Sequence, residues 1–271
     1  MSQAPVIPAI GLGTFRLKDQ EVKDAVKSAL DLGYRHIDTA QFYDNEEAVG
    51  EAIHESGIPR HELFITTKVW HDFLDGDKPV ESLKESLQKL GTDYVDLALI
   101  HWPSPDNAVP MAHYIGKLNE ARELGLAKHI GVSNFTIAQV DEALAAPGGA
   151  HIVTNQIEVH PYLQNKKLVK HCQDKGLQVT GYMPLAGGKV MKDPVLEDIG
   201  KAHGVTPAQV ALAWVAQQDI VVIPSSTKPA HQKANLAALD VRLSDGEMEK
   251  INALDAGERI ANPDFAPQWD P

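Results

Sequence analysis

The sequence has a single cysteine, a shortage of basic side chains and no long apolar run. With only Cys172 available, an intramolecular disulfide and a cysteine-rich metal site are both excluded. There are 25 basic against 37 acidic residues, and the formal net charge of −12 disfavours binding to nucleic acid or to an anionic membrane. No segment approaches the ~18 apolar residues that a membrane span needs. These absences predict a cytoplasmic protein without nucleic-acid or membrane partners.

The other limits come from local sequence. The segment Met1–Pro5 has no basic stretch followed by an apolar run, so no secretory signal is predicted. Cys172 continues the apolar pattern of Leu168 and Val169 in a predicted helix, which favours a buried small residue over a nucleophile. Hydrophobic residues make up 43% and charged residues 23%, so a globular chain with a substantial core is expected.

Short runs rich in Val, Ile and Leu alternate with amphipathic segments along the chain. Several runs are almost continuously apolar, which is typical of parallel strands covered on both faces. Capping boxes at Thr136, Thr206 and Ser244 predict three helix starts. The eight predicted strands are roughly Ile10–Phe15, Arg35–Thr39, Phe64–Val69, Val95–His101, His129–Val132, Val153–Glu158, Gln178–Tyr182 and Val221–Pro224.

Eight such units in about 240 residues fit a (β/α)8 TIM barrel, an α/β fold whose usual length is about 250 residues. A doubly wound sheet shares the alternation, but it normally carries a three-glycine dinucleotide turn after its first strand. Here Gly11 and Gly13 are followed by Thr14 and Phe15, so the third glycine is missing. We therefore predict one barrel domain over 1–271, with an extra C-terminal helix and tail around 244–271.

Ionisable residues stand where predicted strands end, which is where the active site of a TIM barrel forms. Asp38, Lys68 and His101 lie near the ends of the second, third and fourth strands, and Tyr43 follows the second. Taken singly, such residues are often helix caps, snorkelling lysines or hydrogen-bonded core histidines. Together, a buried Asp–Lys pair beside a tyrosine predicts a phenol whose pKa is lowered from about 10, an acid near neutral pH.

These residues belong to segments that resemble the aldo-keto reductase family. The resemblance extends over nearly the whole chain, and the short loops are similar to those of the bacterial 2,5-diketogluconate and methylglyoxal reductase branch. It implies NADPH-dependent reduction of aldehydes and ketones, namely small aldehydes, dicarbonyls such as methylglyoxal and ketosugars such as 2,5-diketo-D-gluconate. The segments are Gly33–Gly50, Thr67–Trp70, Leu99–Pro103, Gly131–Phe135, Asn155–Gln156 and Ile223–Lys228.

The resemblance also implies roles for individual residues in a monomeric enzyme that needs no metal. Tyr43 would protonate the carbonyl oxygen, Lys68 paired with Asp38 would support that proton transfer, and His101 would orient the carbonyl. Phe15, Trp70 and Trp102 would line an apolar substrate mouth. The residues implied for the cofactor are Ser133, Asn134 and Gln156 at the carboxamide, Tyr182 under the ring, Leu185, Gly187 and Gly188 near the pyrophosphate, and Ser225, Ser226, Thr227, Lys228, His231 and Asn235 toward the adenosine.

NADPH is expected to bind better than NADH because Lys228 and neighbouring hydroxyls can hold a 2′-phosphate. The sequence departs from many relatives here: Ser225 replaces a lysine, and His231 stands where an arginine would grip the phosphate. The margin over NADH is therefore expected to be smaller than with an arginine. The other interpretation of Lys228 is a solvated charge at the start of a helix.

Two other functions remain open at the level of sequence. The first is a regulatory barrel that binds NADPH without significant turnover; loss of Tyr43 or Lys68 would favour it, and both are present. The second is a TIM-barrel lyase that uses Lys68 to form a Schiff base. A lyase leaves Ser133, Asn134 and the 225–228 phosphate segment without a role.

Overall fold

The computed structural model describes residues 7–271, so Met1–Pro5 and the prediction about a secretory signal lie outside the described residues. Eight parallel strands form one sheet, and each strand pairs with the next in chain order. This consecutive order excludes a doubly wound sheet, in which the strand order reverses. The strands are β1 (Leu12–Gly13), β2 (His36–Asp38), β3 (Phe64–Val69), β4 (Val95–Ile100), β5 (Ala127–Ser133), β6 (Ile152–Glu158), β7 (Thr180–Tyr182) and β8 (Val221–Val222).

Helices connect the strands, and the predicted starts at Thr136, Thr206 and Ser244 are confirmed. At each of these positions the hydroxyl accepts a backbone N–H three residues on, and the side chain at that third position caps in return. The helices are α1 (Asp19–Leu32), α2 (Glu46–Glu55), α3 (Lys78–Leu90), α4 (Met111–Glu123), α5 (Ile137–Ala145), α6 (Lys166–Asp174), α7 (Pro194–His203), α8 (Pro207–Ala216), α9 (Pro229–Ala237) and α10 (Asp245–Asn252).

Side chains of the strands alternate between two packing faces, as the pleat requires. In β4, Ala98 and Ile100 belong to the large cluster between sheet and helices, whereas Leu97 and Leu99 belong to a smaller inner cluster. Lys68 of β3 is the register partner of Leu99 and therefore lies on the inner face. The same alternation that builds the core thus directs a charged side chain inward.

Backbone hydrogen bonds also join β8 to the residues immediately before β1. The Gly11 N–H donates to the Val222 carbonyl at 2.9 Å, and the Val222 N–H donates to the Ala9 carbonyl at 3.0 Å. A Cβ on Gly13 would lie 2.7 Å from the Ile223 carbonyl oxygen. Gly13 therefore permits the close approach of two backbone segments. This packing explains why a glycine stands at position 13 although the chain lacks the full dinucleotide motif.

Cys172 on α6 is fully buried in the large cluster, which confirms the prediction of a buried residue. Burial raises the pKa of its thiol to about 11. Because the thiolate is the nucleophilic form, this cysteine is inert at neutral pH.

Two other features are absent from residues 7–271. No helix in that range combines the length and the apolar character that crossing a membrane requires. Nor does that range bring three or more His, Cys, Asp or Glu side chains together in a group that could hold a metal ion.

Candidate active site

A cavity of about 980 Å³ lies at the C-terminal ends of the strands and continues along the loop after β8. It brings together side chains from the loops or ends of all eight strands, as expected for a site on this fold. Three predicted residues, Lys68, Thr227 and Lys228, are not on its wall. The predicted residues that line it are Phe15, Asp38, Tyr43, Trp70, His101, Trp102, Ser133, Asn134, Gln156, Tyr182, Leu185, Gly187, Gly188, Ser225, Ser226, His231 and Asn235.

Lys68 lies directly behind the wall and is fully buried. Its Nζ donates to Asp38 Oδ1 at 2.5 Å, to the Thr39 carbonyl at 2.8 Å and to Tyr43 Oη at 3.2 Å. All three ammonium hydrogens are therefore used. Because Asp38 is also buried, the two charges compensate each other in a place where an unpaired charge would be costly.

The protonation states follow from burial and from this pairing. Burial would by itself lower the pKa of Lys68, but the neighbouring Asp38 and Tyr43 raise it above its usual value, so the amine stays charged. For Tyr43, burial is the largest effect and raises the pKa of the phenol, although the charge of Lys68 acts in the opposite direction. The prediction of a lowered tyrosine pKa is therefore wrong, because desolvating the phenolate outweighs the lysine. Tyr43 remains protonated at neutral pH and holds a proton that it can donate.

His101 presents its ring to the cavity between two aromatic neighbours. The ring packs edge-on against Tyr43 and Trp70, with centroids 5.6 and 5.3 Å apart. Within residues 7–271, its Nδ1 is buried and has no hydrogen-bond partner. Burial, reinforced by the charge of Lys68, holds the pKa of His101 well below its usual value. The ring is therefore neutral at pH 7 and can donate one hydrogen bond to a carbonyl oxygen.

The residues predicted to hold the carboxamide are hydrogen-bonded to one another and to Asp38. Gln156 Nε2 donates to Asp38 Oδ2 at 2.8 Å, and Ser133 Oγ donates to the Gln156 carbonyl at 2.9 Å. Tyr182 Oη donates to Asn134 Oδ1 at 2.6 Å. The polar groups of this wall therefore have fixed orientations.

Past this wall, the backbone turns where the pyrophosphate was predicted to bind. Gly187 and Gly188 have φ values of 63° and 93°, the left-handed conformation that favours glycine. A Cβ on either residue would meet no atom within 4 Å. The glycines are therefore required by the shape of this turn, which brings bare backbone to the cavity beside Leu185.

The end of the cavity predicted for the adenosine is more open. Ser226, His231 and Asn235 line it, but Thr227 and Lys228 are exposed outside the lining. Lys228 immediately precedes α9, and its backbone N–H donates to Ser226 Oγ at 3.1 Å. The structure therefore brings Ser226 and His231 to the cavity and leaves Thr227 and Lys228 at its rim.

The aromatic wall includes side chains that the sequence analysis missed. Phe42 stacks on Trp70 with ring centroids 4.1 Å apart, and Phe265 packs edge-on against Trp70 and Trp102 at 5.5 Å. Trp269 lies outside the cavity lining and packs against Trp102, with ring centroids 6.0 Å apart. Phe42 could have been predicted from the sequence as a cavity residue, because it directly precedes Tyr43. Nothing local marks the tail residues as part of the site, because they reach it only through folding.

The tail reaches the site because a buried glutamate anchors it. The two carboxylate oxygens of Glu158, at the end of β6, accept the backbone N–H groups of Ile260 and Ala261, each at 2.8 Å. His160 Nε2 lies 2.8 Å from the same carboxylate. Burial would raise the pKa of Glu158, but these hydrogen bonds lower it below its usual value. An ionised glutamate thus holds the segment that carries Phe265 over the cavity.

The chain belongs to the aldo/keto reductase family, whose sequence model matches residues 9–256. It is 55% identical over 265 residues to methylglyoxal reductase DkgB of Escherichia coli O157:H7, covering 97% of this chain and 99% of that protein. It is 40% identical to methylglyoxal reductase DkgA of Escherichia coli K12, covering 96% and 94%.

Solved structures give the same assignment. A putative 2,5-diketo-D-gluconic acid reductase B superposes with a TM-score of 0.94 at 47% identity, over 98% of this chain and 94% of that one. The aldose reductase of Schistosoma japonicum superposes with a TM-score of 0.89 at 33% identity, over 97% and 95%. The chain is therefore an oxidoreductase of a family that reduces carbonyl groups and generally uses NAD(P)H.

Proposed function

We propose that this protein uses NADPH to reduce small aldehydes, dicarbonyls such as methylglyoxal and ketosugars such as 2,5-diketo-D-gluconate, with Tyr43 as the general acid. The observation that carries the proposal is a protonated Tyr43 on the cavity wall, 3.2 Å from a buried and charged Lys68. The names of the similar proteins support this substrate range.

The residues of the chain supply the proton half of the reaction. When bound in this cavity, NADPH would supply the hydride that the carbonyl carbon accepts. As negative charge develops on the carbonyl oxygen, Tyr43 donates its phenolic proton, and the ammonium of Lys68 stabilises the phenolate that remains. Asp38 keeps Lys68 charged and holds it against Tyr43. The pKa of the phenol is raised before reaction, so the proton is present throughout the neutral range.

His101 and the aromatic wall would position the substrate. The neutral imidazole can donate a hydrogen bond to the same carbonyl oxygen without competing for the proton of Tyr43. Phe15 lies 5.1 Å from the ring of Tyr43, and Trp70 and Trp102 close the other sides. Exclusion of water by these rings would strengthen the electrostatic interactions within the site.

The cavity fits a dinucleotide. Its wall runs from the amide of Gln156 and the ring of Tyr182, past the glycine turn at 187–188, to Asn235. We assign the nicotinamide to the first end and the adenosine to the last. Preference for the 2′-phosphate would rest on Ser226 and His231 together with Lys228, whose exposed side chain can reach over the rim.

A Schiff-base lyase is disfavoured by the state of Lys68. An amine that attacks a carbonyl must be neutral and accessible. Lys68 is fully buried, its pKa is raised, and its three hydrogens are donated to neighbouring oxygens.

We further propose a single closed barrel over 1–271, acting as a monomer in the cytoplasm. Closure is supported by the hydrogen bonds of Gly11 and Val222, which join β8 to the residues immediately before β1. A single domain is supported by the tail, which packs back on the sheet through Glu158.

The test follows NADPH consumption spectrophotometrically with methylglyoxal, an aromatic aldehyde and 2,5-diketo-D-gluconate, using Tyr43→Phe as the matched control. We expect turnover by the wild type and almost none by the variant, with NADPH still bound. NADPH binding without turnover of any substrate would favour the regulatory barrel. Borohydride trapping of a substrate on Lys68 would favour the lyase.

A further inference from the structure

Gln156 connects the predicted nicotinamide site to the catalytic acid through an unbroken chain of hydrogen bonds. Its Nε2 donates to Asp38 Oδ2 at 2.8 Å, and the other carboxylate oxygen accepts from Lys68 at 2.5 Å. Lys68 in turn donates to Tyr43 Oη at 3.2 Å. Gln156, Asp38 and Lys68 are at most 2% exposed. Water therefore cannot readily replace a link that is lost.

The chemistry of Asp38 determines which way the amide of Gln156 points. A carboxylate paired with a charged lysine has no hydrogen to donate, so the atom that faces it must be the amide nitrogen. The amide oxygen is then turned away from Asp38. Within residues 7–271 it accepts no hydrogen bond. Gln156 also lines the cavity. One side chain therefore offers an acceptor for a ligand and a donor for the catalytic carboxylate.

We propose that Gln156 is a positioning residue for proton transfer, in addition to its predicted contact with the cofactor. Its N–H holds Asp38 in the orientation that keeps Lys68 against Tyr43. Without that donor, Asp38 Oδ2 becomes a buried and unpaired acceptor, and the carboxylate gains by drawing the ammonium toward it and away from the phenol. This inference rests on the proposed function.

The two roles of Gln156 predict different pH dependences for Gln156→Glu: the positioning role depends on pH, and the cofactor contact does not. The introduced carboxyl group has a hydrogen for Asp38 only while it is protonated. Burial and the charge of Asp38 raise its pKa, which brings its titration into the range between about pH 5.5 and 8. The cofactor role needs only an acceptor oxygen, which the ionised form supplies equally well. Positioning therefore fails as pH rises, whereas the cofactor contact does not.

The experiment measures kcat at saturating NADPH and substrate between about pH 5.5 and 8 for the wild type, Gln156→Glu and Gln156→Met. Relative to the wild type, the kcat of Gln156→Glu should fall about tenfold or more over this range, the scale of a lost hydrogen bond to a charged group. Gln156→Met should show a similar loss at every pH. Ser133→Ala is the matched control, since its hydroxyl contacts the backbone of Gln156 and not Asp38, so its relative kcat should not change with pH.

A binding measurement separates the two roles without turnover. The dissociation constant of NADPH is followed by quenching of tryptophan fluorescence over the same pH range. For Gln156→Glu, the dissociation constant should change less than threefold across this range while kcat falls. A relative kcat independent of pH, or one that falls only in parallel with NADPH affinity, would overturn the positioning role.

Gln156→Met and the wild type provide two further tests. If Gln156→Glu does not fold, an unchanged kcat for folded Gln156→Met at saturating NADPH would overturn the proposal, and a loss in kcat would support it. A wild type that reduces no carbonyl would instead refute the proposed function. The two failures are therefore distinguishable.

Discussion

The two ends of the cavity, which we propose as the catalytic end around Tyr43 and the adenosine end around Asn235, are built differently. At the catalytic end, Asp38, Lys68 and Gln156 are buried and joined by hydrogen bonds of 2.5 and 2.8 Å. At the adenosine end, Lys228 is exposed and Ser225 is exposed beside it. A group that donates a proton must hold that proton before the reaction, and enclosure in the protein fixes this initial protonation state. A group that only attracts a phosphate can remain in water.

The difference between the two ends also predicts how much activity or cofactor binding each substitution should lose. A buried charge that loses its partner is left uncompensated, so effects at the catalytic end should be large and coupled. An exposed charge is screened by solvent and salt, so effects at the rim should be small and separable.

The largest effect is expected for the proton donor. Tyr43→Phe should lower kcat/KM for carbonyl reduction by about 100-fold or more, the usual scale for general acid catalysis. NADPH affinity, measured by quenching of tryptophan fluorescence, should be nearly unchanged. Full retention of activity would show that Tyr43 is not the proton donor.

The supporting pair should act as one unit with the tyrosine. Lys68→Met should be about as damaging as Tyr43→Phe, and Asp38→Asn less so, because an amide can still accept a hydrogen bond from the lysine. Steady-state kinetics of the double variants should show losses no larger than those of the worse single variant. Multiplicative losses would contradict a coupled network.

The tail anchor belongs to the same enclosed end and is sensitive to pH. Glu158→Gln should lower the free energy of unfolding by about 1–3 kcal/mol at neutral pH, because a buried backbone donor loses its acceptor. Since the pKa of Glu158 is lowered in the folded protein, its contribution is present above the unfolded value, about 4.3, and is lost as pH falls through the folded value.

Urea unfolding at neutral pH and near pH 3 tests the anchor. The difference between wild type and Glu158→Gln should shrink on acidification. Lys189→Met is a control, since its ion pair with Glu258 lies at the surface and should contribute little. A difference that grows at low pH would mean that the carboxylate is not ionised in the fold.

The smallest effect is expected at the rim. Lys228→Ala should weaken NADPH binding by less than about tenfold, because the charge is exposed and screened. NADH affinity should not change. His231→Arg should tighten NADPH alone, since a guanidinium can bind the 2′-phosphate with two hydrogen bonds. Equal losses for NADPH and NADH in Lys228→Ala would mean that the lysine supports its loop instead.

The local sequence determined the elements and the positions of the residues that we propose as catalytic. Apolar runs predicted the eight strands, and the capping boxes at Thr136, Thr206 and Ser244 predicted three helix starts. Both patterns can be read from sequence because they act over a few residues. Asp38 and His101 could be placed at the mouth of the fold because the C-terminal ends of its strands meet there.

Only the tertiary structure decided the environments of those residues. Tyr43 has a raised pKa because enclosure desolvates the phenolate, and the degree of enclosure is not encoded in neighbouring residues. Gln156 reaches Asp38 across 118 positions of the chain, and Glu158 holds the tail across more than a hundred. Such contacts depend on how the elements pack, so no local pattern predicts them. The sequence thus located most of the residues that face the cavity, and folding decided their hydrogen-bond partners and their protonation.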